Sequence, residues 1–145
     1  MTKQQYDRYI RQMEPKSPLW KDVCFAFLIG GAICALAQLI QNGWGMLGLD
    51  KTDAGAATSV SMIFLGALLT GLSVFDDIAK VAGAGTLVPI TGFANSIVAP
   101  AMEFRSEGLI TGMAAKMFTV AGPVIVFGVS ASVLYGVILC IVQAL

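Results

Sequence analysis

The residues of this chain with the most chemical potential are two pairs of carboxylates. Asp76 and Asp77 are adjacent, and Glu103 and Glu107 stand four residues apart. Paired carboxylates can exchange protons with a substrate or bind a hard cation such as Ca²⁺. The alternative is that both pairs are solvated charges at a membrane surface, and the residues leave both interpretations open.

The chain lacks the partners that most catalytic and metal sites need. It contains no histidine, so the commonest metal ligand and general base are missing and no serine can be activated by one. Cys24, Cys34 and Cys140 lie in apolar stretches without metal-ligand spacing, which is typical of small buried hydrophobes. The GAG motif at residues 83–85 has neither a third glycine nor a Walker lysine. We therefore expect no enzyme activity, no metal site and no cofactor.

These charged positions are separated by long segments without charge. Asp, Glu, Lys and Arg are absent from residues 23–49, 54–75, 81–102 and 117–145. A membrane-spanning helix needs about 20 mostly apolar residues, and each window is long enough. Only 12% of the residues are charged, against about 25% in soluble domains, and the zero net charge excludes a basic nucleic-acid footprint. The pattern predicts an all-α polytopic protein of the lipid bilayer with three to four transmembrane helices.

The same pattern predicts how the chain is divided. Residues 1–16 are interpreted as an amphipathic interfacial segment, with a frayed polar tail as the alternative, and residues 17–145 as the transmembrane domain. Five of the nine cations precede the first charge-free window, so we expect a cytoplasmic N-terminus. The predicted elements are spans at about 18–41 and 54–75, a broken segment at 83–102, and a span at 108–142.

Local signals refine these boundaries. Asn42 and the glycines that follow it are expected to end the first span. Asp76 and Asp77 would oppose the negative C-terminal pole of the second span, so we place them at the cap and first turn of a short interfacial helix ending at Ala82. Asp77 could pair there with Lys80. Gly122-Pro123 is expected to kink or split the last helix.

The segment at 83–102 is apolar but is interrupted by two prolines and three glycines. Its 17 residues from Thr86 to Met102 would span about 25 Å as a helix, short of a hydrocarbon core of about 30 Å. Interrupted helix is tolerated in lipid only inside protein or beside a water-filled cavity. This favours a broken or re-entrant helix over a kinked full span. Three or four crossings, and therefore the side of the C-terminus, are left open.

We interpret this broken segment as the working part of a pore, because broken helices direct half-helix termini at ions and solutes. The pore or gating candidates are Gly83, Gly85, Pro89, Thr91, Gly92, Asn95 and Ser96. The candidates for contact with a solute or ion are Asp76, Asp77, Glu103, Arg105, Glu107 and Lys116. For Asn95, a hydrogen bond to another helix is the alternative. Small residues along the spans predict a homo- or hetero-oligomer, since one chain has few helices to enclose a path.

Three stretches of the chain resemble the stage V sporulation protein AC family. They are AFLIGGAICALAQLIQN at 26–42, LLTGLSVFDDIAKVAGAGTLVPITGFANSIVAPAMEFRSEGLITG at 68–112, and KMFTVAGPVIVFG at 116–128. The resemblance implies the inner membrane of the forespore and spore, with sister membrane subunits and a soluble partner subunit. It implies movement of dipicolinic acid, with calcium, into the spore during sporulation and out during germination. It also implies a mechanosensitive channel component.

Two other functions are compatible with the same residues. A non-conducting assembly subunit could dock a soluble partner through residues 1–22. A membrane enzyme could act on a lipid through the carboxylate pairs Asp76/Asp77 and Glu103/Glu107. A channel would respond to replacement of these carboxylates with a changed rate or selectivity, whereas an enzyme would lose all activity.

Overall fold

A computed structural model describes residues 18–144, together with Tyr6, Tyr9 and Ile10. Within these residues the chain is helical and contains no strand, which confirms the predicted fold class. The helices are α1 (Leu19–Met46), α2 (Lys51–Gly71), α3 (Val74–Ala82), α4 (Ala84–Leu87), α5 (Ile90–Glu103) and α6 (Ala115–Ala144). A 3₁₀ turn at Arg105–Glu107 and a π-helical segment at Leu109–Ala114 join α5 to α6.

Three helices are long and apolar enough to cross a membrane. They are α1, α2 and the continuous helix Leu109–Gln143. In contrast, α5 has 14 residues, which span about 21 Å and fall short of the hydrocarbon core. The predicted interfacial helix at 1–16 lies outside the described residues, except for Tyr6, Tyr9 and Ile10, which are helical and exposed.

The first span continues beyond its predicted end at residue 41. It reaches Met46, and polar side chains near this end form hydrogen bonds while the chain stays helical. The Gln38 side chain donates a hydrogen bond to Asn42 at 2.9 Å. Trp44 donates to the Ser61 hydroxyl of α2 at 3.3 Å, which holds the last turns of α1 against the neighbouring helix. The chain turns only at Gly48, where φ is +92°.

The second span is shifted toward the N-terminus relative to the predicted 54–75. It begins at Lys51, where Asp50 caps the helix by accepting a hydrogen bond from the backbone N–H of Asp53 at 2.7 Å. It ends at Gly71, and Ser73 then adopts a left-handed conformation with φ of 59°. Residues 74 and 75 therefore belong to α3 rather than to the span.

Helix α3 carries the two adjacent carboxylates in its first turn, as predicted, although the helix begins at Val74. At this position they face the positive N-terminal pole of the helix. The predicted pair between Asp77 and Lys80 is present, with 2.8 Å between Oδ1 and Nζ, and both side chains are exposed.

Helix α2 buries one row of residues, and Gly66 and Thr70 of this row contact α5. Its buried residues recur at every fourth position: Ala54, Thr58, Met62, Gly66 and Thr70. Such i, i+4 rows form the ridges with which helices interlock. Gly66 allows the closest approach, since a Cβ there would lie 3.0 Å from the Cα of Thr91.

The last helix is not split at Gly122-Pro123, so that part of the prediction is wrong. It runs continuously from Ala115 to Ala144, although Pro123 has no N–H to donate to the carbonyl of Thr119. From Pro123 to Gln143 every residue is exposed except Gly136, which is half-buried. This half of α6 therefore projects from the rest of the described chain, and its apolar surface is available to lipid or to another subunit.

Candidate functional site

The broken segment consists of α4 and α5, joined at Val88-Pro89. Pro89 occupies the N-cap of α5 with extended torsions, and no side chain caps the helix. The N–H of Gly92 donates to the carbonyl of Pro89 at 2.9 Å. A Cβ on Gly92 would collide with the carbonyl oxygen of Thr86 and lie 3.0 Å from the Cα of Leu87. The two short helices are therefore folded tightly against each other, backbone to backbone.

This segment is also clamped between α1 and α2. On the α1 side, a Cβ on Gly85 would collide with the carbonyl oxygen of Ala26 and lie 2.8 Å from the Ala26 Cα. Gly30, one turn further along α1, also packs against the backbone of Gly85. On the α2 side, Gly66 touches the backbone of Thr91. Because the contacts are between backbones, neither span can tilt without moving the segment or breaking the contact.

Three predicted gating glycines have two different geometries. Gly83 joins α3 to α4 with φ of +51°, a conformation that favours glycine, and a Cβ there would meet nothing within 4 Å. Gly85 and Gly92 instead have no positive φ, and their lack of a side chain serves close packing. The structure thus places conformational freedom at Gly83 and packing at the other two.

Thr91 is buried, with 5% of its surface exposed, and its hydroxyl lacks a hydrogen-bond partner. In the described part of the chain, no other buried side-chain polar atom lacks a hydrogen-bond partner. Threonines inside the long helices, such as Thr58 and Thr70, donate to the carbonyl four residues earlier. For Thr91 that carbonyl belongs to Leu87, which precedes the break at Pro89. Thr91 also lines an apolar cavity of about 460 Å³ between α1, α2 and α3.

The other polar candidates of this segment form hydrogen bonds within the fold. The Thr70 hydroxyl donates to the carbonyl of Gly66 at 2.7 Å and lies 2.9 Å from Oδ1 of Asn95. A hydroxyl has one proton, so both contacts are satisfied when the Asn95 amide turns its NH₂ group toward Thr70. Ser96 donates to the carbonyl of Phe93 at 2.8 Å. The alternative for Asn95, an interhelical hydrogen bond, is the arrangement observed.

The charged candidates lie outside the clamp, by which we mean the contacts that hold α4 and α5 between α1 and α2. Asp76 and Asp77 are exposed on α3. A hydrogen bond from Lys80, reinforced by its positive charge, holds the pKa of Asp77 below its ordinary value, and the same contact raises the pKa of Lys80. These charges form a solvated pair rather than a buried acid or base.

A second charged group surrounds the turn between α5 and α6. Glu103, Arg105 and Glu107 are exposed there, and the ammonium of Lys116 lies 4.0 Å from the centre of the Phe104 ring. Such a cation–π contact stabilises Lys116 beside the turn. Within the described residues, no three Asp, Glu, Cys or His side chains form a group that could hold a metal ion.

One polar cluster was missed by the sequence reasoning. Gln38, Gln41 and Asn42 of α1 line a cavity of about 610 Å³, whose opposite wall includes Lys51 and Ala54 of α2. The signal was present, since three amides at i, i+3 and i+4 share one face of a helix. From the sequence, Gln38 and Gln41 are assigned only to the first span and Asn42 only to its end.

A family model described as SpoVAC/SpoVAEB sporulation membrane protein matches residues 22–138. Stage V sporulation protein AC of Bacillus subtilis (strain 168) is 44% identical over 137 residues, covering 94% of this chain and 91% of that protein. No solved structure matches the chain. The matched residues include the complete broken segment and the amide-lined cavity.

Proposed function

The chain belongs to the SpoVAC/SpoVAEB family of sporulation membrane proteins, and on this premise we propose that it is a subunit of a spore inner-membrane channel. Its solute would be dipicolinic acid, moved with calcium into the forespore during sporulation and out during germination. The N-terminus would lie in the cytoplasm, and three crossings would put the C-terminus on the opposite side. We propose no enzymatic role, and the exposure of Asp76 and Asp77 supports interfacial charge instead.

The observation that carries this proposal is the clamped α4–α5 segment. It contacts α1 through Gly85 and α2 through Gly66 at backbone distance. Tension that thins the bilayer would change the tilt of both spans, since helices adapt their tilt to bilayer thickness. The tilt would then pull on the segment from both sides, and Gly83 would absorb the rotation. The segment is thereby proposed as a mechanosensitive gate.

The unpaired hydroxyl of Thr91 supports the proposal that the α4–α5 segment has two conformations. A buried hydroxyl without a partner costs roughly 1–3 kcal/mol relative to a satisfied one. A second arrangement of α5 in which this hydroxyl meets water or a carbonyl would recover part of that energy. The closed state is therefore proposed to be held by packing and opposed by this polar group.

The test is solute release from liposomes that contain the purified full-length chain and trapped dipicolinate. An osmotic downshift should release the dipicolinate from these liposomes and not from protein-free liposomes. A disulfide between cysteines placed at Thr70 and Asn95, whose side chains meet between α2 and α5, should lock the segment and abolish release until it is reduced. The variant with only the Thr70 cysteine is the matched control. Release that persists in the oxidised variant would contradict the gate.

A second function, non-conducting assembly of the complex, is favoured by α6. Its outer half is exposed except at Gly136, which is half-buried, and Gly128, Ser132 and Gly136 recur at every fourth position. Small residues at this spacing let transmembrane helices approach closely. In this alternative the chain would bind sister membrane subunits through α6 and a soluble partner through residues 1–22. No release from the chain alone, with release restored by adding sister subunits, would favour assembly.

A further inference from the structure

We propose that α1 is the surface through which two copies of this chain associate in the membrane. The contact would be made by a row of residues on the outer face of α1, spaced alternately by four and three positions: Gly31, Ala35, Gln38, Asn42 and Gly45. All members of this outer row are exposed in the single chain, and a Cβ at either glycine would meet nothing within 4 Å. The proposal holds whether or not the chain conducts, because it rests only on the side chains and packing of α1.

The outer row lies on the side of α1 that faces away from the rest of the described chain. The opposite, inner face of the helix contains half-buried residues, among them Ala26, Gly30, Ile33, Ala37 and Trp44. Ala26 and Gly30 pack against the backbone of Gly85, and Trp44 donates its hydrogen bond to α2. Successive residues of a helix are about 100° apart, so Ala35 and Ala37 lie on opposite sides of α1. The fold of one chain therefore uses the inner face and leaves the outer row uncovered.

The depth of Gln38 in the bilayer means that lipid alone is a poor cover for this row. Trp20 and Trp44 are 24 residues apart on α1, about 36 Å, which suits the two interfacial belts and puts Ala32 at the midpoint. Gln38 then lies about 9 Å from the midpoint along the helix, whereas the hydrocarbon core extends about 15 Å to each side. An amide exposed to lipid tails at this depth leaves its hydrogen bonds unmade, which is costly. The Gln38 side chain therefore needs a polar partner from outside the chain.

The hydrogen-bonding groups of the outer row are balanced between donors and acceptors. Within the described residues, the only hydrogen bond of these amides runs from Gln38 to Asn42 at 2.9 Å. A side-chain amide has two N–H donors and two acceptor lone pairs, and this bond uses one donor and one acceptor. Equal numbers of donors and acceptors remain on the pair. Such a surface selects neither an anion nor a cation, but it is complementary to a second set of the same amides.

A second copy of the chain supplies these amides at the required depth. Copies of one chain enter the membrane with the same orientation, so the twofold axis that relates two of them runs along the membrane normal. In such an isologous pair each residue near the axis lies beside its counterpart at the same depth. Gln38 would thus meet the Gln38 of the second copy, and each amide would both donate and accept. The row of small residues on α6 contains no amide, so it does not specify its partner in this way.

The spacing and the sizes of the side chains also fit a pair of helices. Steps of four and three residues average 3.5, the repeat with which two helices wind around each other at about 20°. Gly31 and Ala35 lie near the midpoint of the bilayer and allow the two backbones to approach closely, which brings the amides within hydrogen-bond reach. Large exposed apolar side chains, Phe27 and Leu39, lie on either side of the row and suit contact with lipid.

The experiment traps the association as a disulfide between two copies. In a full-length chain with Cys24, Cys34 and Cys140 replaced by Ala, one variant carries Ala35→Cys, in the outer row. The control carries Leu36→Cys, at the next residue, about 100° around the helix and away from the row. Leu36 is 46% exposed, so the control should fold and its thiol should be accessible. Both variants are reconstituted in liposomes with excess lipid and oxidised with copper phenanthroline, and the linked dimer is quantified on a non-reducing gel.

The Ala35→Cys variant should form the linked dimer and the Leu36→Cys variant should not, because a disulfide needs two Cα atoms within about 4.4–6.8 Å. Adding Gln38→Leu to Ala35→Cys removes the amide and keeps the size. Association should then weaken about tenfold, so that half-maximal linking requires about tenfold less lipid per chain. Adding Gln143→Leu, the same change on α6, is the matched control and should have no effect.

Three results would each overturn the proposal: no dimer from Ala35→Cys, an equal yield from Leu36→Cys, or linking unaffected by Gln38→Leu. The first would mean that lipid or a different protein covers the outer row. The second would mean random collision, and the third would mean that the amides do not hold the pair. Linking is measured without solute release, so its outcome is independent of the proposed channel.

Discussion

Glycine serves opposite purposes in the clamped segment α4–α5 and in the outer half of α6. In the clamp, the space beside Gly66, Gly85 and Gly92 is filled by the backbone of a neighbouring element. On α6, a Cβ at Gly128 or Gly136 would meet nothing within 4 Å. The first region completes its packing within one chain. In the second region the small residues pack against no other element of the chain, as expected of a surface that another transmembrane helix covers.

This difference gives the two regions separate roles. The clamp connects α1 and α2 through the broken segment, so substitutions there should alter the stability of the single chain and, on the proposed function, its gating. Substitutions in the outer half of α6 should leave the stability of the single chain unchanged and should alter the association between chains. Each prediction below tests one side of this contrast.

The largest effect is expected for Gly92→Ala in the clamp. The added methyl group meets the backbone of Thr86 and Leu87, which cannot move without separating α4 from α5. Overpacking of this kind costs up to roughly 3 kcal/mol, so the unfolding midpoint of the purified chain in detergent should fall by several degrees. The control Gly128→Ala, in open space, should leave the midpoint unchanged or raise it slightly. Equal midpoints for both variants would contradict the clamp.

A smaller effect, of roughly 1–2 kcal/mol, is expected for Gly128→Leu on association between chains in detergent. The larger side chain would hold neighbouring helices apart, so the dissociation constant measured by sedimentation should rise about tenfold. Its matched control is Val129→Leu, on the adjacent position of the same helix. An unchanged oligomeric state together with a lowered unfolding midpoint would show that this face packs within the chain.

Next in size is Thr91→Val, which removes the unpaired hydroxyl and keeps the shape. Because the hydroxyl has no partner, we expect a gain in unfolding free energy of about 1 kcal/mol and release only at stronger osmotic downshift. Thr58→Val is the control, since that hydroxyl donates to the carbonyl of Ala54 at 2.7 Å. Destabilisation by Thr91→Val as large as that by Thr58→Val would mean that Thr91 has a partner.

The smallest effect concerns the exposed pair Asp77–Lys80, outside both regions. The pKa of Asp77 is lowered from 3.8, so its contribution to stability is present above that pH and is lost as the pH falls through the lowered value. The pKa of Lys80 is raised from 10.5, so its contribution persists below that pH and is lost as the pH rises through the raised value. Thermal unfolding of Asp77→Asn across this range should show a slightly weaker pH dependence than the unmodified chain.

Much of the architecture followed from the sequence alone. Three of the four charge-free windows coincide with the spans, Pro89 marks the break, and the carboxylates of α3 lie in its first turn beside Lys80. Gly92 and Pro100, also predicted to interrupt the segment, lie inside the continuous helix α5, so that part of the prediction is wrong. These features depend on local properties. Apolar length decides whether a helix can cross lipid, a proline removes one backbone hydrogen bond from a helix, and each helix pole favours charges of one sign.

Other features were decided by which groups meet across helices. Trp44 near the end of α1 donates a hydrogen bond to Ser61 of α2, and the Asn95 amide pairs with Thr70 of α2. Gly85 and Gly92 serve packing, and the amides of α1 form a cavity only because α2 starts opposite them. A sequence shows which hydrogen-bonding groups and small residues are present. Their partners depend on distances between segments far apart in the chain, which only the packed tertiary structure determines.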